Sequence, residues 1–543
     1  MTELCSFNQV LEKNAANYVP LSPLSFIKRA AIVYPDRAAV IYQDKTYTWH
    51  QTYGRCCQLA SVLKGFGISR GDTVAVMLPN IPVMYEAHFG VPMVGAILNA
   101  INTRLDAEAI AFIFNHSRTK LLLMDCEYAK VIEQALLLVE GTKPIIINIS
   151  DQNYGQGKPI GDFDYEALLT EQPEGSKWAL PLDEWDAIAL GYTSGTTGNP
   201  KGVVTHHRGA YLNAMSNVLS WNLASNVVYL WTLPMFHCNG WCFPWTLAAV
   251  GGTSVCLRKV DPEQIHHLLR KHHVSHYCGA PIVHSMIADA AETQSTPIEH
   301  KVSALIAGAA PPTSLLERME RIGFELTHVY GLTETYGPAT VCVKQDDWAE
   351  RPLKEQAELN GRQGVSYPSQ EEVIVLDPDT LIPVPLDGKT VGEIMFRGNI
   401  VMKGYLRNET ATHEAFEGGW FHTGDLAVAH PDGYIKITDR SKDVIISGGE
   451  NISSLEVEDI IQRHPEVELA AVVAMSDEKW GEVPAAFVQL RQGSALSEKA
   501  LIDFCRENIS RFKAPKKIIF GNIPTTLTGK IQKFGLRQLL SAK

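Results

Sequence analysis

The sequence predicts an α/β protein: a large N-terminal domain of stacked β-α-β subdomains closed by a small β-barrel, then a smaller α+β C-terminal domain. Its 543 residues exceed what a single core organises and fit about three or four domain-sized units. Strand-like apolar runs alternate with stretches of helical period through the first half of the chain, the pattern of β-α-β units. Between Arg362 and Tyr405 the runs become short and are broken by Pro and Gly, which suggests a small barrel.

In chain order, Ala38 to Tyr42 and Lys45 to Trp49 are predicted strands. Thr48 starts a helix whose apolar face carries Tyr53, Cys57, Leu59, Ala60 and Leu63, and Gly65 and Gly67 end it. Thr73 to Leu78 is an apolar strand of the doubly buried kind, Met84 to Ala96 a long helix, and Leu121 to Met124 another strand. Asp151 to Lys158, rich in Gly, Asn and Gln, is predicted to be a solvent loop. Val373 to Leu376 and Glu393 to Phe396 belong to the barrel. Leu455 to Arg463 (helix), Ala470 to Met475 and Ala485 to Leu490 (strands) make the C-terminal domain.

The balance of 48 basic against 60 acidic residues, a formal charge of -12, gives no footprint for nucleic acid. An anionic substrate must therefore be drawn by local cations. The 10 cysteines are scattered, without C-x-x-C spacing, and read as reduced thiols. No basic stretch followed by an apolar one opens the sequence, no run is long and apolar enough for a membrane span, and Ser541-Ala542-Lys543 is not the Ser-Lys-Leu signal. A cytoplasmic enzyme is expected. Nothing in the sequence fixes the oligomeric state.

The stretch that organises the chemistry is Tyr192-Thr193-Ser194-Gly195-Thr196-Thr197-Gly198-Asn199-Pro200-Lys201-Gly202, between two apolar runs. Glycines give it backbone freedom, its hydroxyls and one ammonium suit a polyphosphate, and the same composition also fits an ordinary Gly/Ser loop. Walker A spacing is absent, since Pro200 precedes Lys201 and Gly202 follows it. Over its whole length the stretch resembles the phosphate loop of the adenylate-forming superfamily, which includes acyl-CoA synthetases, aryl-CoA ligases, luciferases and peptide-synthetase adenylation domains.

Matches along nearly the whole chain support the resemblance, and it implies specific roles. ATP would meet Thr193, Ser194, Gly195, Thr196, Thr197, Gly198 and Lys201 in the loop; Gly308, Ala309 and Ala310 under adenine; and Tyr330, Gly331 and Thr333 of Tyr330-Gly331-Leu332-Thr333-Glu334-Thr335. Glu334, with the Thr197 hydroxyl, would hold Mg2+. Asp425, in Trp420-Phe421-His422-Thr423-Gly424-Asp425, can accept from both ribose hydroxyls, with Arg440 beside it. His237 in Pro234-Met235-Phe236-His237 would gate the acid pocket, lined also by Trp241 and Gly279, and has a catalytic role with Glu334 and Lys530.

Where peptide synthetases carry an Asp for the substrate ammonium, this chain has His237, so the acid is expected to lack an amino group. Lys442 would be a hinge within 440–443, joining an N-terminal domain 1–439 to a mobile C-terminal domain 444–543. Gly448, Gly449 and Glu450 would line the path of CoA, and Lys530, in Thr528-Gly529-Lys530, would be the lysine at the reacting phosphate.

The implied reaction joins a carboxylic acid to AMP, then transfers the acyl group to CoA. The N-terminal stretches Ala16 to Pro23 and Pro35 to Arg37 look most like medium-chain and plant-type acyl-activating ligases, so a short- or medium-chain fatty acid is expected, with a benzoate- or cinnamate-like acid as the alternative. A luciferase-like oxygenase and a non-catalytic nucleotide or acyl-CoA binder are the rival readings. Intact Thr333, Glu334, Asp425, Arg440 and Lys530 oppose the second.

Overall fold

The computed structural model describes residues 11–152, 154–155, 157–193, 200–293, 298–308, 311, 313–440, 442–447, 450–477, 479–525 and 531–541. Among them two large sheets carry the N-terminal part. One has eight strands in the order Gly404–Tyr405, Lys201–His206, Ala187–Thr193, Ile97–Ala100, Thr73–Met77, Thr119–Asp125, Ile145–Ile149, Phe163–Asp164. The other has nine and runs from Val365–Ser366 through Phe324–Leu332, Val302–Ile306 and His276–Gly279 to Ala38–Tyr42 and Lys45–Thr48.

Alternation along the strands explains the layers. Leu121 and Leu123 face a core that also takes in Val40 and Tyr229 of the other sheet, with the helices Trp49–Gly65, Pro82–Gly90 and Phe243–Val250 between them. Leu122 and Met124 point the opposite way, onto the helices Ala107–Ser117 and Ala129–Leu137. Likewise Leu230 turns from the shared core to the helices Pro262–Lys271 and Pro281–Thr293. Period-2 strands that are apolar on both faces thus bury each sheet between two helical layers.

Trp49–Gly65 begins as its sequence predicts: the Thr48 hydroxyl accepts from the Gln51 N–H, and the Gln51 side chain accepts from the Thr48 N–H. The long helix expected from Met84 to Ala96 is instead the helix Pro82–Gly90, a 3-10 turn at Pro92–Val94 and the strand Ile97–Ala100. Pro92 cannot continue the hydrogen-bond ladder and Gly95 turns back with φ +73. Where the sequence suggested a small barrel, Glu372–Leu376, Val391–Arg397, Phe421–Ala429 and Ile435–Arg440 form a four-stranded antiparallel sheet. Its Phe396 and Phe421 pack with Val203 beside the phosphate loop.

After Arg440, Ile445–Ser447, Glu450–Ile452, Val467–Asp477, Gly481–Leu490 and Lys517–Phe520 build a separate sheet, with its own core around Ile445, Val457, Val472 and Leu501.

The segment expected to be a solvent loop contains Asp151, whose side chain is only 8% exposed. Arg258, with 7% of its side chain exposed, donates to Asp125 (2.9 Å), Asp151 (2.7 Å) and Glu127 (2.7 Å), joining the ends of strands from both large sheets. Buried charges are retained only when mutually compensated. Arg258→Met should therefore cost about 3 kcal/mol or more and lower the thermal midpoint by at least about 5 °C. A shift below about 1 °C in scanning calorimetry would mean that this cluster does not tie the sheets together.

Candidate active site

The ends of the phosphate loop are fixed by an antiparallel ladder in which Tyr192 pairs with Gly202 and Thr193 with Lys201. Ser194, Gly195, Thr196, Thr197 and Gly198 lie outside the described residues. On the other side of Lys201–His206, Gly404 pairs with Val204 and Tyr405 with Val203, and the Leu406 N–H donates to the Gly202 carbonyl (2.7 Å). The Lys201 ammonium stands 4.7 Å from the centroid of the Tyr405 ring, and the Tyr405 hydroxyl donates to Glu334 Oε1 (2.9 Å).

Thr333 presses against the strand that enters the loop, so that a Cβ on Gly191 would come within 3.1 Å of its methyl group. Desolvation raises the Glu334 carboxyl above the usual carboxylate range. A cation beside it would offset that cost. Among the described residues no group of three or more His, Cys, Asp or Glu could hold a metal ion. Beyond Glu334 and the Thr197 hydroxyl, Mg2+ would draw on phosphate and water, as this ion commonly does.

Tyr330, Asp425 and Arg440 form a chain of three side chains. Tyr330 donates to Asp425 Oδ2 (2.5 Å) and Arg440 forms an ion pair with it (Nε to Oδ1 3.0 Å), across paired strands in which Asp425 and Arg440 are register partners. Each carboxylate oxygen keeps a second acceptor site for a ribose hydroxyl. Burial pushes the Tyr330 phenol well up, and the Asp425 charge adds to the shift. Burial is the largest single influence and would lower the Arg440 guanidinium, but Asp425, Tyr330, Asp443 and Glu334 together outweigh it and raise it. At Gly331 any Cβ would meet the Gly337 carbonyl oxygen at 1.9 Å, which excludes a side chain. Gly308 adopts φ +89, and Ala309 and Ala310 lie outside the described residues.

After His237 the backbone does something the sequence did not announce. Cys238, Asn239, Gly240, Trp241 and Cys242 have φ of 41, 42, 58, 53 and 63, five successive left-handed residues. Non-glycine residues cost about 1–2 kcal/mol each there, so the turn must be held from outside. Asn217 Nδ2 donates to the Trp241 carbonyl (2.9 Å), the Cys242 thiol to the Tyr336 carbonyl (3.3 Å), and Cys238 Sγ lies 3.5 Å from Thr333 Oγ1. The turn brings Cys238 against Thr333 and Trp241 against Gly337; the Asn-Gly pair was its one sequence signal.

Gly279 ends the strand His276–Gly279 before the helix Pro281–Thr293. A Cβ there would meet Val283 at 3.2 Å and His284 Nε2 at 3.3 Å. Burial lowers the His284 imidazole to about 4.

The stretch around Lys442 is braced from the C-terminal part. The Ser454 N–H (2.5 Å) and hydroxyl (3.0 Å) donate to Asp439, Lys533 pairs with Glu458 (2.8 Å), and Arg537 binds both Asp443 and the Lys442 carbonyl. Burial, with Arg440 nearby, lowers the Lys442 ammonium. Sequence reading missed Lys533 and Arg537, which look like ordinary charges on a short helix. Glu450 is exposed at the start of Glu450–Ile452, while Gly448 and Gly449 lie outside the described residues. So does Lys530, although Thr525 and Ile531 on either side of it are bridged.

A loop clamped by strands, a Thr-Glu pair beside it and a Tyr-Asp-Arg group at its far end define an adenylate-forming acid–thiol ligase, which takes ATP, a carboxylic acid and CoA. The model of the AMP-binding enzyme family matches residues 27–406, that of the AMP-binding enzyme C-terminal domain matches 456–530, and the chain belongs to this family. It is 50% identical over 544 residues to the peroxisomal acetate/butyrate–CoA ligase of Arabidopsis thaliana, covering 97% of this chain and 96% of the relative. To the peroxisomal benzoate–CoA ligase of the same plant it is 45% identical, with 96% and 94% covered. O-succinylbenzoate CoA synthetase from Bacillus subtilis, in complex with ATP and magnesium ion, superposes with TM-score 0.80 at 27% identity over 95% of this chain and 99% of that one.

These relatives overturn the cytoplasmic expectation, since they are named peroxisomal. Reduced thiols distinguish an oxidising compartment from a reducing one, and do not separate cytosol from peroxisome. Among the described residues no helix is long and apolar enough to cross a membrane.

Replacing Asp425 with Asn keeps its size but removes the charge that Arg440 faces. ATP affinity by titration calorimetry should fall about 10- to 100-fold, with the acid KM changed less than about twofold. An unchanged ATP affinity would detach the Tyr330–Asp425–Arg440 group from the nucleotide.

Proposed function

We propose that the chain activates a short- or medium-chain fatty acid with ATP to an acyl-adenylate and transfers the acyl group to CoA, giving acyl-CoA, AMP and pyrophosphate. The observation that carries this reading is the junction of Lys201, Tyr405 and Glu334 at the exit of the phosphate loop, with Thr333 alongside. The likeness to acetate/butyrate–CoA ligase favours the short-chain acid, and the likeness to benzoate–CoA ligase keeps an aryl acid as the second reading. By the same likeness the compartment is the peroxisome.

In the first step a carboxylate oxygen attacks the α-phosphorus, the bond to the β-phosphate oxygen breaks and pyrophosphate leaves. Two anions must meet, so catalysis consists mainly of electrostatic stabilisation and positioning. Lys530 stands for the compact cation at the α-phosphate, Lys201 and the loop amides of Ser194 to Gly198 for the outer phosphates, and Thr333 for an α-phosphate contact. Tyr330, Asp425 and Arg440 hold the nucleoside, with Gly308, Ala309 and Ala310 at the base. Mg2+, when bound, offsets phosphate charge; Glu334 and Thr197 are the residues to hold it. His237, Trp241 and Gly279 bound the acid.

In the second step the CoA thiolate attacks the acyl carbon, the bond from that carbon to the bridging oxygen breaks, and AMP leaves with the oxygen and its electron pair. The segments 1–439, 440–443 and 444–543 are read as adenylation domain, hinge and mobile lid. Rotation at Lys442 exchanges Lys530 for the Gly448, Gly449 and Glu450 face that guides the thiol.

Acid-dependent exchange of labelled pyrophosphate into ATP, measured without CoA across acetate, butyrate, hexanoate, octanoate, benzoate and cinnamate, tests the reading. Exchange should peak at a short or middle chain length and fall about 100- to 1,000-fold in Lys530→Ala. Absence of exchange with every acid, despite ATP binding, would favour a binding protein instead.

A further inference from the structure

Tyr405 belongs to none of the roles above, yet it touches two of the groups that carry them. Its backbone is fixed on two sides. It pairs with Val203 in the strand leaving the phosphate loop, and its N–H donates to the Thr412 hydroxyl (2.9 Å). The preceding Gly404 has φ +145, and a Cβ there would strike Thr412 Cγ2 at 2.7 Å, so the approach to Thr412 requires glycine. From this anchored position the hydroxyl reaches Glu334 Oε1 (2.9 Å) and the ring lies 4.7 Å from the Lys201 ammonium. The Glu334 carboxyl end is held from its own backbone too, because its carbonyl accepts from the Met402 N–H (2.7 Å).

An ammonium and a carboxylate this close to one phenol would ordinarily collapse into an ion pair. No ion pair among the described residues joins Lys201 to Glu334: the ammonium is felt at the carboxyl only as a charge nearby, while the ring and hydroxyl of Tyr405 make the contacts. The ring offers the cation an electrostatic partner that is not an anion, and the hydroxyl offers the carboxylate a donor that is not a cation.

We infer that Tyr405 is a positioning residue that keeps Lys201 and Glu334 apart, so that Lys201 stays free for the outer phosphates of ATP and Glu334 for the divalent cation. This rests on the ATP-dependent reading of the site and deepens it. Tyr405→Phe keeps the ring under Lys201 and loses the hydroxyl; Tyr405→Leu loses both and lets the ammonium fall onto the carboxylate.

The test is titration calorimetry of ATP binding to the full chain, in Mg2+ and in EDTA, without acid or CoA. The gain in ATP affinity on adding Mg2+ is the readout. It should shrink about threefold in Tyr405→Phe and about tenfold in Tyr405→Leu. Lys201→Met added to Tyr405→Leu should restore the gain at least about threefold, because it removes the competing cation, which a merely structural tyrosine would not predict.

A gain within about twofold of wild type in Tyr405→Leu, or no recovery in the double variant, would overturn the inference. Melting midpoints within a few degrees of wild type check that both variants fold. Pyrophosphate exchange run in parallel separates the two claims. A wild type that binds MgATP without exchanging would sink the ligase reading and leave Tyr405 to be decided by calorimetry, and a wild type that binds no MgATP would overturn both.

Discussion

The antiparallel ladder between Ala187–Thr193 and Lys201–His206 is the constraint on which the site depends. With Thr193 opposite Lys201, the seven residues between them must leave and return through one pair of hydrogen-bonded strands. That register sets the position of Lys201. The free edge of the second strand receives Gly404–Tyr405, and through Tyr405 the ladder reaches Glu334 on the end of another sheet. A slip of one residue would turn Lys201 to the opposite face and break this connection, because side chains alternate along a strand.

Charge is managed locally. The protein is formally -12, so its overall field opposes ATP, and its few cations near the site must each be kept available. Arg440 is neutralised by Asp425 at the nucleoside end, where orientation matters more than net charge. Lys201 rests on a ring rather than an acid. The left-handed turn at Cys238–Cys242 follows the same economy of position: strained backbone is accepted because contacts with Asn217, Tyr336 and Thr333 hold the turn in place.

Much of this was legible in the chain. Apolar strands alternating with amphipathic helices predicted the layers, and of the motifs singled out in the sequence Tyr330, Asp425 and Arg440 meet in one group. What was not legible depends on long-range geometry. Pro92 cuts a helix whose hydrophobic pattern runs on past it. Four strands gave a sheet where punctuation by Pro and Gly suggested a barrel. Asp151 sits in a polar loop but is drawn inward by Arg258, over a hundred positions away. Tyr405 carries no local signal at all, since its partners Lys201 and Glu334 are distant in sequence and meet only through strand pairing.

The central claim is that the acid and the nucleotide are joined covalently through oxygen before CoA reacts. The most direct measurement is mass spectrometry of the products from butyrate labelled with 18O in both carboxylate oxygens, incubated with ATP, Mg2+ and CoA. Attack of the carboxylate on the α-phosphorus predicts AMP carrying one 18O and a butyryl thioester carrying the other. Labelled inorganic phosphate with ADP, or thioester formed with AMP left unlabelled, would contradict the account.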